Sequence, residues 1–356
     1  MKAVFKRLFL CHFHCPNYPF TLILDNFKMR HLPYKIAFFG SDEIALPCLE
    51  FLHQESPQVE IRAVLTQPDR RVGRGRKMAQ NAIKKWAQSK SIPCRSPEKP
   101  SSEECDWLRE EKIDCILVMA YGHILRKSFL EVAPAGCYNL HASLLPSYRG
   151  ASPIETAIAM GETTTGVTLM KVIPRMDAGP IVDSEAVSIC PEDTGLILRS
   201  KIAQACVPLI KRKIECLVDG SVEYLSQDDS RSTYCRKLTK EDGQIDFTAS
   251  SKLLADRIRA FQAWPGCSFP LNGQKIRIGS AESKDEEISL AAGETAVDSE
   301  GNFFIGTGNG LLLLKELQRP GGKMLKTADF LRGFDFPFGQ VINSSPMNEL
   351  LLPAKE

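Results

Sequence analysis

A short apolar strand that ends in two polar residues constrains this chain more than any other feature. The strand begins near Tyr138, and its end carries Asn139 and His141, two positions apart. Because alternate side chains of an extended backbone leave the same face, this amide and this imidazole point to one side. Open α/β sheets bind ligands beyond the carboxyl ends of their strands. The pair therefore predicts a polar site at such an edge, although capping of local backbone groups explains these two residues alone equally well.

Apolar strands alternate with amphipathic helices on both sides of this pair. Buried parallel strands read as continuous apolar runs, and residues 114–119 form such a run. The alternation predicts an α/β domain built on a parallel sheet. Strands are predicted at residues 35–39, 59–65, 114–119, 165–172 and 181–187. Helices are predicted at residues 79–89, 102–111 and 194–218, with another after the cap residue Ser41 or Asp42.

The turn after the first strand argues against one common ligand of such domains. Gly40-Ser41-Asp42 lacks the three-glycine fingerprint of dinucleotide-binding folds. A bound NAD is therefore not expected.

Residues 66–77 form the most basic stretch of the chain. Two glycines and a proline predict a mobile surface loop that is neither helix nor strand. Such a run is either a solvated basic loop or an arm that contacts phosphates and becomes ordered when RNA binds. Its cationic residues are Arg70, Arg71, Arg74, Arg76 and Lys77.

The last third of the chain changes character. Residues 226–240 are polar and predict a linker, and residues 250–261 predict a short helix. Several short β-type runs separated by Asn-Gly and Glu-Gly turns then predict a small barrel of the OB type, a shape common in oligonucleotide-binding proteins. Fold alone does not establish RNA binding. The runs lie at residues 266–271, 275–278, 295–298, 302–305 and 310–317.

Composition limits the class of protein. A chain of 356 residues is long enough for two domains. The net charge of +2 is too small to imply nucleic acid, so any basic surface must be local. No apolar run approaches the roughly 18 residues of a membrane span, so no membrane partner is expected. Twelve cysteines without a paired framework favour a reducing, cytoplasmic compartment.

The first 28 residues differ from the rest of the chain. They match a signal peptide poorly, because the apolar core is short and no small-residue cleavage site follows. Cys11-His12-Phe13-His14-Cys15 is too tight to close a tetrahedral zinc site, and no second pair follows at finger spacing. We expect no metal there. Met29 is an alternative start, and the preceding segment is expected to be disordered or dispensable.

Three motifs together resemble the folate-dependent formyltransferase family. They are Asn139-x-His141-x-Ser-Leu-Leu-Pro146, the Arg149-Gly150 pair, and Arg-Met-Asp177-Ala-Gly about thirty residues further on. The resemblance is to the branch that acts on methionyl-tRNA, and it runs from about residue 34 to residue 342. Gln80-Asn81 stands where a proline-rich pair is usual, and Pro180 stands where a polar residue is common.

The resemblance implies a domain plan. Residues 34–222 would form a Rossmann-like formyltransferase domain of α/β class with a parallel-type sheet. Residues 223–243 would form a linker, and residues 244–345 an OB-like β-barrel domain that binds tRNA. Residues 1–33 would be an N-terminal extension and residues 346–356 a C-terminal tail. A monomer is expected.

The resemblance also implies a reaction. A formyl group would pass from 10-formyltetrahydrofolate to the α-amine of methionine on initiator tRNA, for translation initiation. Asn139 would donate a hydrogen bond to the oxyanion, and His141 would stabilise that charge as imidazolium or donate a proton. Asp177 would orient His141, favour its charged form and help to remove the proton of the amine. Without the other two residues, Asp177 would read as a simple turn aspartate before Gly179.

Binding roles follow from the same resemblance. Pterin contacts would come from the backbone around Tyr121 and Gly122, and the folate pocket would be shaped by Ser143, Leu144, Leu145 and Pro146. The basic stretch would enter the tRNA acceptor arm through Arg70, Arg74, Arg76 and Lys77, and relatives that act on small amines lack it. Two alternatives remain: a formyltransferase or hydrolase acting on a small amine or on water, and a non-catalytic RNA- or folate-binding module. Candidate phosphate contacts in the last domain are Lys252, Arg257, Lys275, Arg277, Lys315, Arg319, Lys323 and Lys326.

Overall fold

The computed structural model describes residues 33–72, 75–285, 290–334, 336 and 338–353. The expectations for residues 1–32, including the Cys/His cluster at 11–15, lie outside this part of the chain, as does Arg74. Where the chain is described, no helix is both long and apolar enough to cross a bilayer.

The strands of the described residues fall into several sheets. In chain order they are β1 (Tyr34–Gly40), β2 (Val59–Leu65), β3 (Arg70–Val72), β4 (Lys77–Ala79), β5 (Cys94–Arg95), β6 (Cys115–Met119), β7 (Cys137–His141), β8 (Arg149–Gly150), β9 (Thr164–Lys171), β10 (Ile181–Ser188), β11 (Tyr234–Cys235), β12 (Cys267–Leu271), β13 (Gln274–Lys284), β14 (Thr295–Val297), β15 (Phe303–Gly306), β16 (Leu311–Gln318), β17 (Leu325–Lys326) and β18 (Leu351–Leu352).

The helices alternate with the strands in the first part of the chain. They are α1 (Leu46–Gln54), α2 (Ala82–Ser89), α3 (Ser102–Glu110), α4 (Lys127–Leu130), α5 (Pro153–Ala159), α6 (Gly195–Asp219), α7 (Ser251–Ala260) and α8 (Thr327–Arg332). Short 3-10 helices span Glu43–Ala45, Asp229–Arg231 and Lys240–Gly243. The predicted cap of the first helical segment is Asp42, whose carboxylate accepts from the Ile44 amide.

The main sheet confirms the predicted α/β class. Its order is β10-β9-β7-β6-β1-β2-β5. The pairs from β7 through to β5 are parallel, whereas β9 and β10 join antiparallel at one edge. The sheet is therefore mostly parallel and Rossmann-like, with β7 at the point where strand direction changes.

Strand β1 shows why the central strands are apolar throughout. Ile36, Ala37, Phe38 and Phe39 are all fully buried. Ile36 and Phe38 belong to one apolar cluster, and Ala37 and Phe39 to a second. Because successive side chains point to opposite faces, both faces of this strand are covered and a continuous apolar run results.

The second domain has its own antiparallel sheet, which the predicted short strands anticipated. Its order is β12-β13-β16-β15-β14, with β17 pairing beside β16. Helix α7 precedes it and packs against β13. The sheet is separate from that of the first domain.

The basic stretch is not wholly irregular, so the expectation of a loop without strands is wrong at its two ends. Strands β3 and β4 pair antiparallel, with Arg70 opposite Ala79 and Arg71 opposite Met78. Glycine predicts an irregular loop and a hairpin turn alike. Because Ala79 belongs to β4, the following helix begins at Ala82, and the Asn81 carboxamide caps it by accepting from the Lys84 amide.

The predicted linker is not free of structure either. Strand β11 lies within it and pairs parallel with β8, the short strand that follows the Asn-x-His loop. On its other side β11 pairs antiparallel with β18, from the segment predicted as a tail. These strands form a three-stranded sheet, β18-β11-β8. Three segments distant in sequence therefore meet beside the end of β7.

Candidate active site

The Asn-x-His pair lies at the carboxyl end of β7, as predicted. Asn139 is opposite Val118 of parallel β6 and Met170 of antiparallel β9, and His141 is opposite Thr168. Ligands of open sheets bind at such an edge. The loop after β6 starts one residue beyond Met119, so it leaves the sheet beside Asn139.

His141 is buried, with Nε2 in a hydrogen bond and Nδ1 facing a carboxylate. Its Nε2 lies 2.8 Å from the carbonyl oxygen of Tyr148. A carbonyl only accepts, so Nε2 carries the proton of that bond. Its Nδ1 lies 3.6 Å from Oδ2 of Asp177, longer than a hydrogen bond but within ion-pair range. A second proton on the ring would therefore sit beside a carboxylate.

Asp177 approaches the histidine from a left-handed backbone conformation, with φ of +48°. Aspartate tolerates this region better than most residues. Its Oδ2 accepts a hydrogen bond of 2.9 Å from the Gly150 amide. The carboxylate is thus fixed between the Gly150 backbone and the His141 ring.

The side chain of Asn139 is unpaired among the described residues. Within the described residues, its carboxamide has no hydrogen-bond partner, and the residue is half-buried. Asn139 and His141 share one face of β7 because they are two positions apart. An unpaired amide donor beside a held imidazole can stabilise negative charge that develops on an oxygen.

Arg149 is fully buried next to this site, and its guanidinium binds several polar groups. Its guanidinium donates to Oε1 of Gln227 from Nε and Nη2, at 3.0 and 2.7 Å. It also donates to Asp229 Oδ1 at 2.8 Å and to the Tyr234 hydroxyl at 2.9 Å. The guanidinium groups of Arg175 and Arg149 hold the pKa of the Asp229 carboxyl below its usual range.

Sequence reasoning missed Gln227 and Asp229. Both lie in a polar run without periodicity, which is the signature of a solvated linker. No local sequence signal separates a solvated polar residue from one that accepts hydrogen bonds from a buried arginine. The nearest clue is Arg149 itself, since buried arginines need several acceptors.

Cys235 also lies close to this site, and it stays a thiol. Its Sγ is 3.3 Å from the Arg149 carbonyl oxygen. Burial raises the pKa of this thiol to about 11. The thiolate, which is the nucleophilic form, is therefore absent near neutral pH.

The predicted folate segment, residues 143–146, is anchored to β9 by one hydroxyl. Oγ1 of Thr168 donates to the Ser143 carbonyl at 2.7 Å and accepts from the Leu145 amide at 3.1 Å. Ser143 is fully buried, and its own hydroxyl donates to the Ser147 carbonyl. Leu144 is half-buried beside the backbone of Gly166, and Pro146 is half-buried. The segment is therefore held rigidly next to His141.

Tyr121 and Gly122 occupy the loop after β6. The Tyr121 ring is buried and packs on Phe39, with ring centroids 5.5 Å apart. Its backbone oxygen accepts from Ser41 Oγ and Gln67 Nε2, at 3.2 and 3.1 Å. The ring is thus a packing group, and any ligand contact at Tyr121 would come from the backbone.

The base of the basic stretch adjoins this same loop. Gln67 donates to the Tyr121 carbonyl, and its own carbonyl accepts from Asn81 Nδ2 at 2.9 Å. Further out, Arg76 and Lys77 are exposed, while exposed Arg70 pairs with Glu98 at 3.0 Å. The hairpin therefore projects from the edge of the candidate site.

Comparison with known proteins defines the class to which this fold and site belong. The model of the formyl transferase family matches residues 34–213, and that of the formyl transferase C-terminal domain matches residues 237–335. The chain belongs to the formyl transferase family.

Three relatives that match most of the chain carry the same name. The methionyl-tRNA formyltransferase of Herminiimonas arsenicoxydans is 36% identical over 84% of this chain and 97% of its own. Those of Alcanivorax borkumensis and Synechococcus sp. are 36% and 38% identical, over 89% and 84% of this chain and 97% and 95% of their own.

Solved structures share the fold at lower identity. A sugar 3N-formyl transferase, WlaRD, aligns with a TM-score of 0.59 and 21% identity, over 82% of this chain and 99% of that one. An N-formyltransferase from Helicobacter canadensis, solved with folinic acid and dTDP-3-aminofucose, aligns with a TM-score of 0.60 and 23% identity, over 80% and 99%.

Proposed function

We propose that this protein transfers the formyl group of 10-formyltetrahydrofolate to the α-amine of methionine on initiator Met-tRNA. The proposal rests on Asn139 and His141 sharing one face of β7, with Asp177 3.6 Å from the His141 ring. It is supported by relatives named methionyl-tRNA formyltransferase, which match 84–89% of the chain. A structural neighbour solved with folinic acid supports a folate donor.

In the proposed mechanism, the neutral amine attacks the formyl carbon and a new C–N bond forms. The carbonyl electron pair moves to oxygen, and the Asn139 amide donates to this oxyanion. A protonated His141, held beside Asp177, would stabilise the same charge by its proximity, and N10 of the folate gains a proton as the old C–N bond breaks. The amine loses one proton, which Asp177 helps to remove.

The donor would lie between the two loops that flank β7. Residues 143–146 would form one wall, and the backbone of Tyr121 and Gly122 would contact the pterin. This assignment is supported by the anchoring of both segments, through Thr168 and through Ser41 and Gln67. No metal is part of the proposal.

The nucleic-acid substrate would be held by the basic hairpin and the second domain. Arg70, Arg74, Arg76 and Lys77 would contact the acceptor arm. We propose that the second sheet closes into an OB-like barrel, an idea supported by the bulges in β13 between Ile278 and Ala281. Three candidate phosphate contacts, Lys275, Arg277 and Arg319, line one cleft of that domain.

The proposed chain organisation has two domains joined by a linker. Residues 34–222 and 244–345 would be the two domains, joined by residues 223–243. The protein would act as a cytoplasmic monomer.

The deciding experiment is transfer of a radiolabelled formyl group from 10-formyltetrahydrofolate to defined acceptors. Initiator Met-tRNA should be formylated, elongator Met-tRNA far less, and a dTDP-linked amino sugar not at all. Formylation of the sugar alone would favour the small-amine alternative. Folate and tRNA binding without transfer to any acceptor would favour the non-catalytic module.

The basic stretch at residues 66–77 should control tRNA use and not folate use. Replacing Arg74 or Lys77 with alanine is expected to raise KM for tRNA roughly 10-fold, because a lost phosphate contact costs about 1–2 kcal/mol. The folate Kd should stay unchanged, and the salt dependence of tRNA binding should flatten. Arg109→Ala removes an exposed positive charge on α3 and serves as the control. If all variants show the same tRNA kinetics, this basic stretch is a solvated surface feature that does not contact tRNA.

The first 28 residues should be dispensable. A chain that starts at Met29 is expected to fold and to keep near wild-type kcat, because the family match begins at residue 34. A second chain starting at Ala37 lacks part of buried β1 and should not fold. A folded but inactive chain from Met29 would contradict the prediction.

A further inference from the structure

The segment between the two domains reaches directly into the catalytic loop. Nε2 of Gln227 donates to the carbonyl oxygens of Asp177 and Gly179, at 2.9 and 2.7 Å. The first is the carbonyl of Asp177 itself, and the second lies two residues further along the same loop. A side chain from the interdomain segment therefore holds the backbone at a candidate catalytic residue and just after it.

Arg149 decides which way the Gln227 carboxamide faces. The amide oxygen accepts two hydrogen bonds from the guanidinium. Its NH2 group is then left to donate both hydrogens to the two carbonyls. A carboxamide has one acceptor end and two donors, so all its capacity is used in one orientation. The reversed amide would place its oxygen against two carbonyl oxygens and its NH2 against a cation.

The Asp177 carboxylate is held by the same segment through β8. The Arg149 amide of this strand donates to Thr233 O at 2.8 Å, and the Ala151 amide just after it donates to Cys235 O at 3.1 Å. The amide between them, of Gly150, points to the other side and donates to Asp177 Oδ2. The interdomain segment thus orients the donor of the carboxylate as well as the turn that bears it.

We propose that Gln227 is a positioning residue for formyl transfer: it acts through Asp177, with Arg149 setting its orientation. The proposal rests on the proposed function, in which Asp177 orients His141. The Asp177–His141 distance of 3.6 Å leaves little tolerance, because a further shift takes the carboxylate out of ion-pair range. Misplacement of a reacting group by about 1 Å can cost on the order of 100-fold in rate.

Two substitutions test the acceptor end and the donor end of the Gln227 carboxamide. Gln227→Met keeps the length and removes all its hydrogen bonds. Gln227→Glu keeps the acceptor for Arg149 but turns a carboxylate oxygen toward the carbonyls of Asp177 and Gly179. Gln262→Met is the matched control, since Gln262 also donates to a backbone carbonyl, that of Gly279, within the second domain.

The first readout needs no substrate. Amide hydrogen exchange of Gly150 reports on Asp177, because this amide is bonded to its carboxylate. Exchange should be at least several-fold faster in both Gln227 variants and unchanged in Gln262→Met. Unchanged Gly150 exchange in the Gln227 variants would overturn the proposal, even if the protein proved to act on a different acceptor.

The second readout is kinetic. Both Gln227 variants should lower kcat roughly 10- to 100-fold with little change in KM for folate or tRNA. In an Asp177→Ala background, the further loss from Gln227→Met should shrink to less than about 2-fold, since residues that act as one unit are not additive. A full additional loss in that background would assign Gln227 a purely structural role. If the wild-type protein transfers no formyl group, the proposed function is rejected. The exchange result alone then decides whether Gln227 positions Asp177.

Discussion

Replacing His141 with alanine is expected to lower kcat for formyl transfer by about 100-fold or more, since general acid catalysis and preorganised charge stabilisation each contribute at this level. The ring is buried, its Nε2 donates to the Tyr148 carbonyl, and its Nδ1 faces Asp177. The ring therefore acts where water is largely excluded. Folate and tRNA should still bind, because these groups act on charge that develops during the reaction.

The same experiment on its neighbours tests whether the three residues act together. Asn139→Ala and Asp177→Ala should each reduce kcat severely, and combining either with His141→Ala should add little. His53→Ala, on the exposed side of α1, is the control and should keep full activity. Near wild-type turnover in any one of the three variants would remove that residue from the catalytic set.

Replacing Gly150 with alanine is expected to cost about 2–5 kcal/mol of unfolding free energy, from backbone strain and overpacking together. Gly150 has φ of +114°, and a Cβ there would lie 2.1 Å from the carbonyl oxygen of Cys235. The obstacle is backbone of β11, so it cannot rotate away. Either β8 and β11 separate or the variant fails to fold.

Gly220 is the control for this prediction. It caps α6 with φ of +82°, but a Cβ there meets nothing within 4 Å. Gly220→Ala should therefore cost only the conformational strain, about 1–2 kcal/mol. Urea unfolding of both variants measures the difference, and equal losses would show that close approach to β11 is unimportant.

The parts of the fold that the sequence predicted are those set by local pattern. The strand predicted at 114–119 is the buried β6 at Cys115–Met119, and Thr194 caps the long helix α6 where the apolar spacing begins. Asn139 and His141 could be placed on one face because strand geometry alone decides it. Their resemblance to a known family then supplied the role of Asp177, which lies too far along the chain for pattern to reach.

The parts that could not be predicted depend on contacts between distant segments. Gln227 looked like any polar linker residue because its partners, Arg149, Asp177 and Gly179, lie about 50 to 80 positions away. The hairpin of β3 and β4 was missed because its turn residues carry the same signal as an irregular loop. In both cases local composition is compatible with two structures, and only tertiary packing selects one.

The three-stranded sheet β18-β11-β8 has a consequence for the timing of synthesis. As the chain emerges from the ribosome, the strands of the mostly parallel sheet can pair long before Tyr234–Cys235 and Leu351–Leu352 have been made. The loop that carries Arg149 and Gly150 is completed only when those later segments arrive. In a partly synthesised chain the candidate catalytic groups would therefore stay unbraced until Tyr234–Cys235 and Leu351–Leu352 have been made.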